Sequence, residues 1–233
     1  YKETQLKRRI ESLINSCGAK GYRDYFHLLD KDSHQRERFF DKITINVSEF
    51  FRNEDIFEAL EKDVIPDLCR GNRHLKIWSA ACSNGAEPYS IAIILNDSFP
   101  SVEYIIHATD IDSNILRIAQ EGVYDERVLK GVSKERLRKY FVKDGSGKYR
   151  VTPEVKENVR FRKHDLLEEG FERNYDLIVC RNVMIYFTRE TQNVLYRKLY
   201  DSLKDGGILF VGATENIMQY RDFGFEKVYR WFY

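Results

Sequence analysis

Several features that would assign the chain to a particular class of protein are scarce or missing from its 233 residues. It has four cysteines, and none lies in a CxxC pair or at the Cys/His spacing of a zinc site, so neither a disulfide framework nor a metal is indicated. No run of about 18 apolar residues occurs, which argues against insertion in a membrane. Lysine and arginine total 38 against 37 aspartate and glutamate, which gives no sign of a nucleic-acid partner. Reduced thiols and a cytoplasmic location are therefore expected.

The first part of the chain has the pattern of a helical domain. Leu6, Ile10, Leu13 and Ile14 recur at helical spacing ahead of Gly18, and similar patterns continue as far as Ile65 without a convincing strand. The polar stretch 70–73 is typical of a domain boundary. We therefore predict an all-α domain over residues 1–70. Because the chain begins at a tyrosine and not at methionine, we expect the native protein to have residues before it.

The rest of the chain, residues 74–233, alternates between strands and helices. Amphipathic segments separate four apolar runs that are predicted strands: Leu75–Ser79, Tyr104–Thr109, Tyr175–Cys180 and Ile208–Gly212. Because such alternation produces a parallel sheet covered by helices, an α/β fold of Rossmann type is predicted. Two short runs after a glycine-rich turn, Lys148–Thr152 and Val159–Arg162, predict a small antiparallel insertion over about residues 140–163.

The ends of the first two strands resemble a nucleoside site. The first strand runs into SAACSNGAEP (79–88), whose small residues let a ligand approach the backbone, and Asp110 follows the second strand, where it can accept from both hydroxyls of a ribose. A plain turn with a helix-capping aspartate explains the same pattern. The GxGxxG fingerprint and the P-loop are both missing, which disfavours a phosphate cradle. S-adenosylmethionine needs no such cradle, and Glu87 is placed either for its amino group or for the helix dipole.

Two further segments are candidates for a site. CRNVMIYF (180–187) directly follows a predicted strand, and either lines a pocket with Tyr186 or simply joins the strand to a helix. In the helical part, Asn46 and Glu49 have the spacing of a capping box, and Arg52 has that of a surface pair with Asp55. The residues alone leave the functional and the structural interpretations of these segments open.

Taken together, five stretches resemble the CheR family, the glutamate O-methyltransferases of chemotaxis receptors. They are TINVSEFFRN (44–53), IWSAACSNGAEPYSIA (77–92), ATDID (108–112), HDLL (164–167) and YDLIVCRNVMIYF (175–187). They occur in the family's order and span nearly the whole chain. The resemblance implies an all-α N-terminal domain and a Rossmann-like class I methyltransferase domain with a small antiparallel β insertion. It also implies that S-adenosyl-L-methionine methylates glutamate side chains and leaves S-adenosyl-L-homocysteine.

The resemblance implies roles for individual residues. Arg52 and Tyr186 match the two residues that border the reacting methyl group. Cofactor contacts are implied for Asn46, Ser48, Arg52, Glu87, Asp110, Asp165, Leu166, Arg181 and Asn182. In that set Asp110 binds the ribose, and Asp165 and Leu166 flank the adenine. The chain departs from the family in three places, with Ser48 where threonine is frequent, Ala86 where a second acid is frequent, and Asp165 where some members have asparagine.

The implied partner is the helical cytoplasmic region of a chemotaxis receptor. The first 42 residues carry a modest excess of basic side chains, which either suits an acidic receptor surface or is an ordinary solvated face. The turn between Phe141 and Tyr149 looks shorter than in family members that bind a receptor-tail peptide, so we expect a monomer without such a tether. The alternatives are a methyltransferase for a different acceptor, an NAD-dependent oxidoreductase, and a catalytically silent adaptor.

Overall fold

The N-terminal part of the chain is a bundle of three helices. The computed structural model describes residues 3–43 and 48–233, and the bundle consists of α1 (Glu3–Cys17), α2 (Tyr22–Lys31) and α3 (Ser33–Ile43). Leu13, Ile14 and Tyr25 form its buried centre. The predicted helix end at Gly18 is confirmed, because this residue follows α1 with a φ of 74°.

The next helix packs with the α/β part and not with the bundle. Residues 54–68 form a continuous helix of three parts: α4 (Glu54–Ala59), a π-helical turn (Leu60–Val64) and α5 (Ile65–Leu68). Ile56, Phe57 and Leu60 are buried in the same cluster as Leu75 and Ile77. The boundary predicted near residue 70 is therefore too late on packing grounds. The helical pattern of this segment reflects only neighbouring residues, whereas its burial against the sheet places it in the α/β domain.

The α/β part is built on a parallel sheet. The strands of the described residues are β1 (His74–Ala80), β2 (Glu103–Asp110), β3 (Val123–Tyr124), β4 (Phe141–Lys143), β5 (Tyr149–Val151), β6 (Val159–Lys163), β7 (Tyr175–Cys180) and β8 (Leu203–Val211). Five of them lie side by side in the order β6-β2-β1-β7-β8, all parallel. The strand order reverses between β1 and β7, and this switch point opens a crevice at the carboxyl ends of the strands.

Helices connect these strands. They are α6 (Ala86–Ser98), α7 (Ser113–Glu121), α8 (Lys134–Tyr140), α9 (Pro153–Lys156) and α10 (Arg189–Tyr200). Every residue of α6 from Pro88 to Leu95 is buried, so this helix is central to the core. Thr188 caps the start of α10, since its side chain accepts a hydrogen bond from the backbone N–H of Thr191. Among the described residues, no helix is long and apolar enough to cross a membrane.

The antiparallel insertion is present, but its strands differ from the predicted ones. It is a three-stranded sheet in the order β3-β5-β4. The prediction that Val159–Arg162 is part of the insertion is wrong, because this run belongs to β6 at the edge of the parallel sheet and pairs with β2. The insertion therefore lies within residues 123–151 and not 140–163. An edge strand tolerates charged residues such as Arg160 and Arg162, and this made β6 resemble a strand of a separate, solvated sheet.

A short segment near residue 231 covers the opposite edge of the parallel sheet. Leu209 and Tyr233 exchange backbone hydrogen bonds of 2.7 and 3.0 Å, and the N–H of Val211 donates to the carbonyl of Trp231 at 3.0 Å. The rings of Phe232 and Phe210 stack with centroids 4.5 Å apart. Residues 231–233 thus pair with the carboxyl half of β8 in an antiparallel sense.

Candidate active site

The loop between β1 and α6 bends around the end of β2. Ala81, Ser83 and Gly85 all have positive φ, at 62°, 51° and 84°. The carboxylate of Asp110 holds the loop, because Oδ2 accepts from the N–H of Ser83 at 2.8 Å while Oδ1 accepts from that of Asp112 at 3.0 Å. Each of these oxygens keeps a lone pair for a further donor. Asp110 can therefore hold the loop and accept two ribose hydroxyls at the same time.

Gly85 is explained by packing and by its backbone conformation. A Cβ at this position would lie 2.9 Å from the Cβ of Ala119 in α7 and 3.1 Å from the ring of Phe161 in β6. Its φ of 84° also disfavours other residues. Gly85 thus allows α7 to approach the loop closely, which is a different reason from the ligand approach expected from the sequence.

Arg181 lies directly after β7 and is almost completely buried. Its Nη1 lies 3.4 Å from Oε2 of Glu87, and its Nη2 donates to the carbonyl of Arg52 at 3.1 Å and to Oδ1 of Asn53 at 3.0 Å. Its guanidinium carbon lies 4.7 Å from the ring centre of Phe210. Glu87 also accepts from the hydroxyl of Ser79 at 2.8 Å. Arg181 therefore joins the start of α6 to the loop ahead of α4.

That loop carries Ser48 and Arg52. The helical pattern of the sequence continues through this loop, but α4 begins only at Glu54. Phe51 and Asn53 flank Arg52 with φ of 52° and 65°, a conformation that costs on the order of 1–3 kcal/mol per residue and that surrounding contacts must maintain. Asn46 lies outside the described residues.

Contacts from α6, from the loop ahead of α6 and from the insertion maintain this loop. The side-chain amide of Asn84 donates to the carbonyl of Ser48 at 3.0 Å, and the N–H of Phe51 donates to Oγ of Ser90 at 3.0 Å. On the other side, the N–H of Phe50 donates to the carbonyl of Val128 at 3.0 Å. The half-buried side chain of Arg52 is thus presented from a loop that is fixed on both sides.

Tyr186 ends a short 3₁₀ turn (Met184–Tyr186) after β7. Its side chain is half-buried, and the guanidinium carbon of Arg9 in α1 lies 5.6 Å from the centre of its ring. The helical bundle therefore contacts the segment that carries Tyr186.

Asp165 and Leu166 follow β6 at the same edge of the sheet. The N–H of His164 donates to the carbonyl of Asp110 at 3.0 Å, which brings this segment beside the end of β2. Leu166 is buried and Asp165 is half-buried, and Oδ1 of Asp165 accepts from the N–H of Leu167 at 2.8 Å. The position suits an apolar and a polar contact with an adenine next to the ribose.

Glu215, in the loop after β8, is a member of the site that sequence reasoning missed. It is buried, and its Oε2 accepts from the N–H of Asn182 at 2.7 Å and from that of Gly212 at 2.8 Å. The available signal was an acidic residue shortly after the last predicted strand, at the edge where the other strand ends carry polar residues. It was not recognised because the loop folds back only in three dimensions.

The described residues fit a cationic nucleoside better than a phosphate ester. Glu87, Asp110 and Glu215 converge on one edge of the sheet, and burial raises the pKa of each carboxyl group. Three buried polar atoms in these segments have no hydrogen-bond partner among the described residues: Ser83 Oγ, Arg181 Nε and Glu215 Oε1. Buried polar atoms are normally paired, so these atoms indicate a place for a polar ligand. S-adenosylmethionine, with a ribose, an ammonium and a sulfonium but no phosphate, suits this set.

Comparison with known proteins settles the family. Residues 46–230 match the family described as CheR methyltransferase, SAM binding domain, and residues 1–44 match the one described as CheR methyltransferase, all-alpha domain.

The chain belongs to the CheR methyltransferase family.

Chemotaxis protein methyltransferases from other bacteria match most of the chain. It is 44% identical over 234 residues to the chemotaxis protein methyltransferase of Listeria innocua, which covers 100% of this chain and 89% of that protein. It is 34% identical to chemotaxis protein methyltransferase 1 of Pseudomonas aeruginosa, over 92% of this chain and 82% of that protein. Among solved structures, a TehB-like SAM-dependent methyltransferase from Corynebacterium glutamicum has a TM-score of 0.42 at 16% identity, over 74% of this chain and 77% of that one.

Membership of the CheR family decides between several expectations. The chain is a methyltransferase that uses S-adenosylmethionine, so the alternative of an NAD-dependent oxidoreductase is set aside. The all-α match ends at residue 44, which agrees with the packing of residues 54–68 against the sheet. Glu87, Asp110, Asp165, Leu166, Arg181 and Asn182 are brought to one edge of the sheet, while their individual contacts with the cofactor stay predictions.

Proposed function

We propose that this CheR protein transfers the methyl group of S-adenosylmethionine to the γ-carboxylate of specific glutamates on chemotaxis receptors, giving glutamate methyl esters. The observation that carries the proposal is the contact of Arg181 with the carbonyl of Arg52 at 3.1 Å. It fixes a guanidinium-bearing loop beside the segment 181–186, which carries Tyr186. A cation and a phenol at the edge where the cofactor binds are suitable groups for orienting an anionic acceptor.

Methylation of a carboxylate requires little proton transfer by the protein. A glutamate side chain has a pKa of about 4.3 and is ionised at neutral pH, so it needs no general base. When bound, S-adenosylmethionine supplies an electrophilic methyl group: one carboxylate oxygen forms the new C–O bond as the C–S bond breaks, and no proton moves. The chain's own task is alignment of the acceptor, and such alignment can lower a barrier by roughly 7–11 kcal/mol.

Arg52 and Tyr186 are proposed to perform that alignment. The negative charge of the acceptor is lost as its ester forms, so groups that bind the carboxylate too tightly would slow the reaction. A half-buried arginine and a neutral phenol hold the acceptor less firmly than two buried cations would. Ser48, Glu87, Asp110 and Arg181 are proposed to hold the cofactor, together with Asn46, Asp165, Leu166 and Asn182.

The helical bundle is proposed to recognise the receptor. Its helix α1 already contacts Tyr186 through Arg9, so an acceptor that reaches Tyr186 also meets the bundle. Exposed basic residues of the bundle, among them Lys7, Arg8 and Arg38, suit an acidic helical surface. Recognition of a receptor's cytoplasmic region would place the enzyme in the cytoplasm.

We further propose that the enzyme acts as a monomer and without a receptor-tail tether. The turn of residues 144–148 between β4 and β5 is short and closed by Asp144, whose Oδ1 accepts from the N–H groups of Ser146 at 2.9 Å and Lys148 at 3.0 Å. Strand β4, at the edge of the small sheet, has only three residues. A peptide added there would gain few backbone hydrogen bonds.

The reaction is tested with methyl-labelled S-adenosylmethionine and cytoplasmic fragments of receptors. Incorporated label should be released as methanol by mild base, because a carboxyl ester is base-labile whereas N-methyl and aryl ether groups are not. Fragments in which the candidate glutamates are replaced by alanine serve as the control. Label that resists base, or that enters the control equally, would show that the acceptor is different.

A further inference from the structure

The segment 181–186 carries three of the proposed site residues and contains a strained turn. Asn182 has a φ of 60°, which lies in the left-handed region. It separates Arg181, which holds the loop of Arg52, from the 3₁₀ turn that ends at Tyr186. A non-glycine residue in this conformation persists only where surrounding contacts fix it.

Glu215 supplies those contacts from the adjacent strand end. Its Oε2 accepts from the N–H of Asn182 at 2.7 Å and from that of Gly212 at 2.8 Å, so one carboxylate joins the carboxyl ends of β7 and β8. Burial raises the pKa of Glu215, and its hydrogen bonds with the backbone of Asn182 and Gly212 partly offset this effect. The N–H of Asn182, near the start of the segment, therefore points at this one side chain.

Gly212 makes the approach possible. A Cβ at residue 212 would collide with Oε2 of Glu215 and would lie 3.0 Å from both the backbone N and Nδ2 of Asn182. The φ of Gly212 is not positive, so its requirement is for space alone. Gly212 and the buried Glu215 thus act together to hold the backbone of Asn182 in place.

We propose that Glu215 is a positioning residue of the active site, which fixes segment 181–186 so that Arg181 and Asn182 receive the cofactor and Tyr186 faces the acceptor. The part that concerns Tyr186 rests on the proposed function, whereas the part that concerns the cofactor does not. Glu215 acts through the backbone of Asn182.

Stability alone does not explain this glutamate. A buried carboxylate opposes folding unless it is fully paired, and Oε1 of Glu215 has no hydrogen-bond partner among the described residues. An uncharged side chain of similar shape would cost less to bury. The buried charge of Glu215 is explained if this side chain sets the conformation of segment 181–186 and leaves Oε1 available beside the cofactor, which is itself a cation.

The test compares Glu215→Leu, which removes both acceptor oxygens, with Glu226→Leu, which makes the same change at an exposed glutamate. Three quantities are measured: the melting temperature, the dissociation constant of S-adenosylhomocysteine by calorimetry, and kcat and KM with a receptor fragment. For Glu215→Leu we expect a protein that still folds, affinity lower by about tenfold, and kcat lower by about 100-fold, as a displacement of about 1 Å produces. The KM for the receptor should stay the same. Gly212→Ala should reproduce the losses of affinity and kcat with the carboxylate still present.

Each outcome decides the proposal. Wild-type affinity and kcat in folded Glu215→Leu would overturn it, and so would a variant that fails to fold or loses activity only in proportion to a lower melting temperature, since Glu215 would then be structural. Binding of S-adenosylhomocysteine needs no receptor. A wild-type protein that binds it but methylates no receptor would therefore contradict the proposed acceptor and leave the role of Glu215 in the cofactor site intact.

Discussion

Asp110 has two tasks at the end of β2, as an anchor for the loop after β1 and as the proposed acceptor for the ribose. Both tasks use the same carboxylate, whose two oxygens each already accept one backbone N–H. Burial raises the pKa of this group, because the charged form is desolvated. Donors from a bound ribose would favour the ionised form, so the cofactor and the charge of Asp110 should stabilise each other.

Replacing Asp110 by alanine should therefore weaken cofactor binding. The ribose hydroxyls would lose their acceptor, at a cost of about 1–3 kcal/mol in binding free energy. Calorimetry with S-adenosylhomocysteine measures the loss, and Asp205→Ala, at an exposed position near the start of β8, is the control. Unchanged affinity in Asp110→Ala would remove Asp110 from the cofactor site.

Arg52 and Tyr186 should affect turnover and not the fold. The contact that holds the loop of Arg52 uses its backbone carbonyl, so Arg52→Ala leaves that hydrogen bond in place. Tyr186→Phe keeps the ring against Arg9 and removes only the hydroxyl. We expect kcat to fall by about tenfold or more in each variant, because the acceptor loses an orienting group. The melting temperature, followed by circular dichroism, should stay nearly the same. A variant that unfolds, or one that keeps full activity, would contradict the role assigned to that residue.

At the scale of secondary-structure elements, the insertion acts as a brace, because it packs against the loop that carries Arg52 and supports it. Arg136 in α8 pairs with Glu61 at 2.6 Å and with Asp97 at 3.2 Å, and its guanidinium carbon lies 5.2 Å from the ring centre of Phe51. Gly131 lies even closer to the loop, because a Cβ there would be 2.5 Å from the carbonyl oxygen of Phe50. Contacts thus join the helix of residues 54–68, the insertion and the loop that carries Arg52.

Gly131→Ala should disturb this brace and lower activity from a distance. The added methyl group must push the carbonyl of Phe50 away, and we expect kcat to fall by about tenfold to 100-fold as Arg52 is displaced. Gly145→Ala is a matched control in the same insertion, because a Cβ at residue 145 meets nothing within 4 Å. If both variants have the same kcat as the wild type, the insertion does not position the loop.

The elements that sequence could predict are those with local causes. Gly18 ends α1 and Thr188 begins α10 through backbone conformation and capping, which involve only neighbours in the chain. The domain of residues 54–68 and the partner of β6 depend on contacts distant in sequence, so local patterns assigned them wrongly. The alternation of strands and helices predicts that the sheet is parallel, but it does not predict the strand order β6-β2-β1-β7-β8.

The site shows the same division. Asp110 and Arg181 stand directly after predicted strands, so their place at the carboxyl edge could be predicted from the sheet alone. Glu215 reaches Asn182 only because its loop folds back past Gly212. The left-handed conformations of Phe51 and Asn53 could not be predicted from the sequence either, because neither residue is a glycine.

At the scale of the whole molecule, recognition of the receptor is expected to be electrostatic and direct. Reversing Arg8 and Arg38 to glutamate should raise the KM for receptor fragments, because both side chains are exposed on the helical bundle. Affinity for S-adenosylhomocysteine should not change. Higher salt should raise the KM of the wild type, since exposed charges are screened within about 10 Å at 0.1 M.

The absence of a tether is checked with matched receptor fragments. Those with and without the last residues of their tail should be methylated at the same rate. Micromolar binding of an isolated tail peptide would contradict the prediction, and the short turn of residues 144–148 would then be a poor guide to docking.

The covered edge of β8 has a consequence for how copies of the folded protein meet. An unpaired strand edge is a template on which another chain can add a strand and begin to aggregate. Residues 231–233 occupy the carboxyl half of that edge at β8. At the other edge, β6 presents Arg160, Arg162 and Lys163, all exposed. Strand addition from a second copy is therefore hindered at both edges of the main sheet, by pairing along the carboxyl half of β8 and by positive charge along β6.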